Sequence, residues 1–178
     1  MLHGWRRHET LLVLTLGIDP GTARFGFGLI DGDRQLRHVT HGCLTTPAGE
    51  PLGTRLARIR DGLLPLFERH TVTAVAIERL GYARRLTSAV DVSHAIGVAH
   101  LVAADHGVPV EEYAPREIKL AVAGYGGADK AGVQDMVRRF LNLDSPPRPD
   151  HAADALAVAI CHVNSYESRA LEREIGVR

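Results

Sequence analysis

Lysine is almost missing from this chain: Lys119 and Lys130 are the only two among 21 basic residues, and the rest are arginine. Cysteine is equally scarce. Cys43 and Cys161 are too far apart in sequence for a C-x-x-C pair, so neither a disulfide-stapled scaffold nor a cysteine metal knuckle is indicated, and reduced thiols in a cytoplasmic protein are expected. Charge of one sign is absent in sum, since 21 acidic residues balance the 21 basic ones. That balance argues neither for nor against nucleic acid, because local patches matter more than the total. No stretch approaches the ~20 apolar residues of a membrane span. The opening imitates a signal peptide, with Arg6 and Arg7 ahead of an apolar run. That run is only Leu11 to Ile18, has no small-residue cleavage site and leads straight into Asp19, so it reads as a strand. Internal repeats and low-complexity segments are also absent.

What is present is one domain's worth of chain, 178 residues. Residues 1–10 read as an irregular extension, 11–165 as the folded domain and 166–178 as a charged tail expected to fray. Strands are expected at about 11–18, 24–31 and 34–44, with Asp31-Gly32 as the tight turn between the last two. Leu52, Leu56, Ile59, Leu63 and Leu66 have helical spacing. A fourth strand is expected at about 72–78, a long helix at 86–106 and a short strand at 108–113. Pro115 opens a further helix that Gly124 ends, and Asp129 caps the next. After the SPPRP break, a last helix is expected at about 150–165, with Ala152, Leu156, Ala159, Ile160 and Val163 as its core stripe. Three antiparallel strands followed by alternating helices and strands predict a mixed α/β sheet with helices on both faces.

Three carboxylates stand where such a fold would gather them. Asp19 ends the run LLVLTLGID, Glu78 ends TVTAVAIE, and Asp154 lies in the first turn of DHAADALAVAICHV. A carboxylate ending a strand otherwise built for burial is unfavourable unless something pairs with it. Three together repel one another unless divalent cations sit among them, and hard oxygen-rich sites suit Mg²⁺ or Mn²⁺. His151 and Asp154, three residues apart, can reach the same point near the helix N-terminus. Asp150, after Pro149, reads as an N-cap. Taken alone, Asp19-Pro20-Gly21-Thr22 is compatible with a plain turn or with the phosphate loop of actin- and Hsp70-like ATPases. Those ATPases have two domains and a second glycine-rich loop, for which this chain has no room. Lys119 and Lys130 flank the Gly124–Gly127 loop, and with Arg84, Arg85 and Arg116 they suggest a basic surface for phosphates.

The stretches LGIDPGTARFGFGLID, AVAIERL, VDVSHAIGVAHLVAADHGVPVEEYAPREIKLAVAGYGGADKAGVQDMVRRFLNL and DHAADALAVAICH resemble the RuvC family of bacterial Holliday junction resolvases over roughly residues 12–165. The resemblance implies an RNase H-like fold with a five-stranded mixed sheet. It also implies a homodimer, branch-migration motor proteins as partners and symmetric nicking of four-way DNA junctions with two Mg²⁺ or Mn²⁺ ions per site. The products would carry 5′-phosphate and 3′-hydroxyl ends. By position, Asp19, Glu78 and Asp154 match the family's acidic metal ligands, and His151 its fourth site position, either as ligand or as proton carrier. Lys119 and Lys130 match family lysines of junction binding and catalysis. An aromatic expected about three residues after the Glu is here Gly81, with Tyr82 next to it as the candidate replacement. A junction-binding protein with a dead site is the rival, and its signature would be a missing carboxylate. For the dimer, the stripe Val92, Ile96, Ala99 and Ala103, with small residues Ala95, Gly97 and Ala99, is expected to admit a partner helix.

Overall fold

The apolar run that ends at Asp19 becomes the middle strand of a sheet, because it is apolar on both faces and must be covered on both. The computed structural model describes residues 14–32, 35–80 and 86–174, without the side chains of 86–88 and 166–174. The elements in order are β1 (Leu14–Asp19), β2 (Arg24–Gly32), β3 (Leu36–Thr45), α1 (Leu52–Arg69), β4 (Ala74–Glu78), α2 (Leu86–Asp105), β5 (Val110–Tyr113), α3 (Pro115–Ala123), α4 (Lys130–Phe140) and α5 (Asp150–Glu174). The strands form one sheet in the order β3-β2-β1-β4-β5. β1, β2 and β3 are antiparallel neighbours, and β4 and β5 continue from β1 in parallel. This is the expected five-stranded mixed sheet.

Period-two alternation divides the strands between two cores. Leu16, Ile18, Phe25, Leu29, Val75 and Ile77 pack with α1 and α2. Ile30, Ala76 and Tyr113 pack with α3, α4 and α5. The expected stripe of α5 is wholly buried, from Ala152 at 0% exposure to Val163 at 2%. Pro115 opens α3, and Gly124 closes it in the left-handed conformation at φ 80°. Among the described residues no helix is long and apolar enough to cross a membrane.

Three expectations are corrected. The β2–β3 reversal does not fall on Asp31-Gly32: both stay in the ladder, where Asp31 pairs with Arg37 and Gly32 with Leu36. The register also shifts between Leu29 and Ile30, which pair with Thr40 and His38, so Val39 is the extra residue of a bulge on β3 while β2 keeps its alternation. α5 does not stop near 165 but runs to Glu174, consistent with a sequence there rich in Glu, Arg, Ala and Leu and free of Gly and Pro. The small residues Ala95 and Ala99 of α2 face their own sheet, at 0% and 2% exposure, and leave no surface for a partner. The outward face of α2 is instead Val90, His94, Gly97, Leu101 and Ala104, all exposed.

Candidate active site

The site is assembled by strand register and by one helix that comes unusually close to the sheet. β1 and β4 run parallel, and Ile18 pairs with Ile77. The residues that follow, Asp19 and Glu78, therefore stand at the carboxyl ends of adjacent strands. Alternation puts both on the α5 face, with Gly17 and Ala76 before them. Carboxyl ends of parallel strands are where open α/β sheets place their ligands. α5 then lies almost backbone to backbone on β1 and β2. A Cβ on Gly17 would overlap the carbonyl oxygen of Ala155, and one on Gly26 would overlap that of His151. These glycines are absent from the site expected from sequence. The signal was there, since an isolated glycine inside a strand marks close backbone approach.

That approach brings the first turn of α5 onto Asp19. The Asp19 carboxylate, 6% exposed, meets Nδ1 of His151 at 2.7 Å. Asp19, His151 and Asp154 each offer a ligand atom, all within 4.8 Å of one another. Glu78 lines the same cavity of ≈ 420 Å³, outside that close trio, and Lys119 and Lys130 line it too. The structure thus gathers the four acid and imidazole groups and both lysines. Arg116 is not among the lining residues: its side chain lies over Gly126, where a Cβ would stand 2.7 Å from its Cγ. Tyr82, Arg84 and Arg85 lie outside the described residues.

Lys130 is the first residue of α4, whose N-cap Asp129 accepts a hydrogen bond from the Gly132 amide. Its ammonium bridges Asp154 at 3.1 Å and Asp150 at 3.3 Å. Partial burial pulls the Lys130 pKa down, but the hydrogen bonds and charges of Asp154 and Asp150 outweigh it and leave the group above the ordinary lysine value. Asp150 is not the N-cap expected from sequence. It is the first helical residue, and its carboxylate accepts from Gln134, Arg148 and Lys130. Gln134 and then Lys130 hold that carboxyl below the usual range. Lys119 lines the cavity together with Asp19 and Glu78.

Two carboxylates and an imidazole, with a third carboxylate on the rim, form a hard donor set that fits a divalent cation. Lys130 already supplies one positive charge beside Asp154, as a cation in the cluster would.

Comparison with known proteins gives one consistent answer. The sequence pattern of the family described as crossover junction endodeoxyribonuclease RuvC matches residues 15–162. A protein of that description from Chloroflexus aggregans is 50% identical over 159 residues, covering 89% of this chain and 96% of its own. The structure of Thermus thermophilus RuvC in complex with Holliday junction substrate superimposes with a TM-score of 0.84 at 36% identity, over 88% of this chain and 96% of that one. A yeast mitochondrial Holliday junction resolvase shares the fold alone, with a TM-score of 0.65 at 12% identity over 94% of this chain and 87% of that one.

Proposed function

The chain belongs to the RuvC family of crossover junction endodeoxyribonucleases, and we infer that Asp19, Glu78, His151 and Asp154 are its catalytic centre. The protein is a Holliday junction resolvase, an endonuclease of recombination and repair with the RNase H-like fold. The observation that carries the site assignment is the convergence of Asp19, His151 and Asp154 within 4.8 Å, in a cavity also lined by Glu78 and two lysines.

Hydrolysis forms a bond from a water oxygen to phosphorus and breaks the bond from phosphorus to O3′, which takes up a proton. Two divalent ions, Mg²⁺ or Mn²⁺, held by Asp19, Glu78 and Asp154 with His151 assisting, would supply positive charge at the scissile phosphate and acidify the attacking water. The protein's own part is placement. β1 and β4 set the two strand carboxylates side by side, and α5 brings His151 and Asp154 across to them. His151, hydrogen-bonded to Asp19, fixes that carboxylate's orientation and stands in reach of a proton at the site. Lys119 lines the same cavity, and in this reading its ammonium meets the phosphate.

A four-way junction has two-fold symmetry, so paired nicks call for two sites related by a two-fold axis, and we include a homodimer in the proposal. The outward face of α2 supports it: residues 90, 94, 97, 101 and 104 alternate steps of four and three, and Val90 and Leu101 are 52% and 59% exposed. Cytoplasmic residence and branch-migration motors as partners belong to the same proposal. The test is cleavage of a labelled synthetic four-way junction beside a linear duplex of the same sequence, with divalent cation or with chelator. Selective, symmetric, cation-dependent nicking is expected. Cutting that persists in chelator, or duplex cut as readily as junction, would refute the assignment.

A further inference from the structure

A second cavity, of ≈ 770 Å³, opens beside the catalytic one, between the β2–β3 ladder and the start of α5. Lys130 and His151 line both cavities, so the two adjoin. Its other walls include Arg24, Cys43, Thr45 and Arg148. Arg24 pairs with Thr45 across the ladder, so its backbone position is set by strand register. Among the described residues Arg24 makes no ion pair. Arg148 meets Asp150 through one guanidinium nitrogen at 2.6 Å and is 73% exposed, so most of its five donors are left over. The one carboxylate in the wall, Asp150, is shared among Lys130, Arg148 and Gln134. Lys130 is neutralised between Asp150 and Asp154, so the cationic character of the groove comes from Arg24 and Arg148, in a chain with no net charge.

We propose that this groove is a second backbone-phosphate subsite. It holds the DNA strand next to the phosphate being cut, with Arg24 and Arg148 as its cations, and it rests on the reading of the adjoining cavity as the nuclease centre. A strand entering the catalytic cavity must leave it, and the groove is a positive exit continuous with that cavity at Lys130 and His151. Guanidinium groups meet phosphate oxygens through paired N–H donors, which suits Arg24 and Arg148 to this task. Contacts of this kind position the backbone and carry no base information. The subsite therefore acts on affinity and alignment for every junction sequence alike.

Cys43 is a native reporter in the wall. It is half-buried, whereas Cys161, the other cysteine, is buried in the core. Burial raises the Cys43 thiol above its ordinary value and the charge of Asp19 adds to this, so labelling is run at mildly alkaline pH. The protein is treated with a maleimide in chelator, free or with a synthetic four-way junction, and binding is followed by gel shift in the same samples. Labelling of Cys43 should be lost in proportion to the bound fraction. In parallel, Arg24→Ala should lower the slope of log affinity against log salt by about one, the value of a single phosphate contact. Arg24→Lys should restore it, and Arg60→Ala, on α1, should leave it unchanged. Equal labelling of bound and free protein overturns the subsite, as does an unchanged slope in Arg24→Ala. If the same preparation still nicks the junction in Mg²⁺, the catalytic centre stands without it. Absence of junction binding overturns both.

Discussion

On one face of the sheet β1 presents Leu16 and Ile18, and on the other the same strand presents Gly17 and Asp19. The first pair packs into a core of ordinary large side chains with α1 and α2. The second meets α5 through main-chain contact, with no side chain at Gly17 to hold the helix away. The faces therefore serve different ends. Large aliphatic groups bury apolar area and supply stability wherever they fit, at roughly 25 cal/mol per Å². Glycine supplies no such area, but it lets a helix come near enough for His151 to reach Asp19 at 2.7 Å. Both faces of the sheet bury a core, but β1 itself gives large side chains to one and the close approach of α5 at the proposed site to the other.

The comparison can be broken most severely at the carboxylates. Asp154→Asn, Asp19→Asn or Glu78→Gln should reduce junction cleavage by roughly 10²–10³-fold or more, the scale of losing one preorganised electrostatic group, with junction binding largely kept. Single-turnover nicking beside gel shift reads both, and one such variant cutting at the wild-type rate would remove that residue from the site.

Next in size is the contrast between neighbours on β1. Gly17→Ala forces α5 off the sheet, so it should cost about 1–3 kcal/mol of stability and most of the activity even where the protein remains folded. Leu16→Ala should cost about 2–5 kcal/mol through the cavity it leaves yet keep its rate per folded molecule. Chemical denaturation with rates measured well below each midpoint separates the two. Equal activity losses would mean that the faces are not specialised.

The outer face of α2 offers a milder intervention. Leu101→Arg, on an exposed side chain, should leave folding intact, produce monomers by sedimentation and convert paired nicks into single ones. A monomeric wild-type protein at micromolar concentration would overturn the dimer directly. The smallest expected effect distinguishes the lysines. Lys119→Ala should weaken binding by about one phosphate contact and also lower the rate, since it meets the scissile phosphate, whereas Lys130→Ala should lower the rate with the affinity kept, because its ammonium is held by Asp154 and Asp150. Identical behaviour of the two would show that the ion bridge has no functional consequence.

Much of this site was legible in the chain. The carboxylates end runs whose alternation and apolar content make them strands, and His151 and Asp154 share a helix face by spacing alone. Register then brings Asp19 beside Glu78, because parallel pairing of two strands of like length leaves their ends together. The errors were of another kind. Asp150 has the local chemistry of a cap, but tertiary neighbours Gln134, Arg148 and Lys130 claim its carboxylate. Ala95 and Ala99 are small enough for a partner helix, yet their own sheet takes them first. For Asp150 a local capping preference worth about 1 kcal/mol gave way to tertiary contacts, and for the two alanines the choice of face was itself a tertiary matter.

By itself, then, the sequence determined the strands, the helices, their order, the acidic residues that end them and the family to which they belong. These follow from periodicity, from turn and cap chemistry and from motif spacing, all properties of neighbours along the chain. Only the tertiary structure decided which face of each helix is covered, that α5 rests on Gly17, Gly26 and Gly28, that Lys130 bridges the acidic pair and that Arg24, Cys43 and Arg148 share a groove. Those residues are brought together by packing between different elements of the chain, and no local pattern encodes such a meeting.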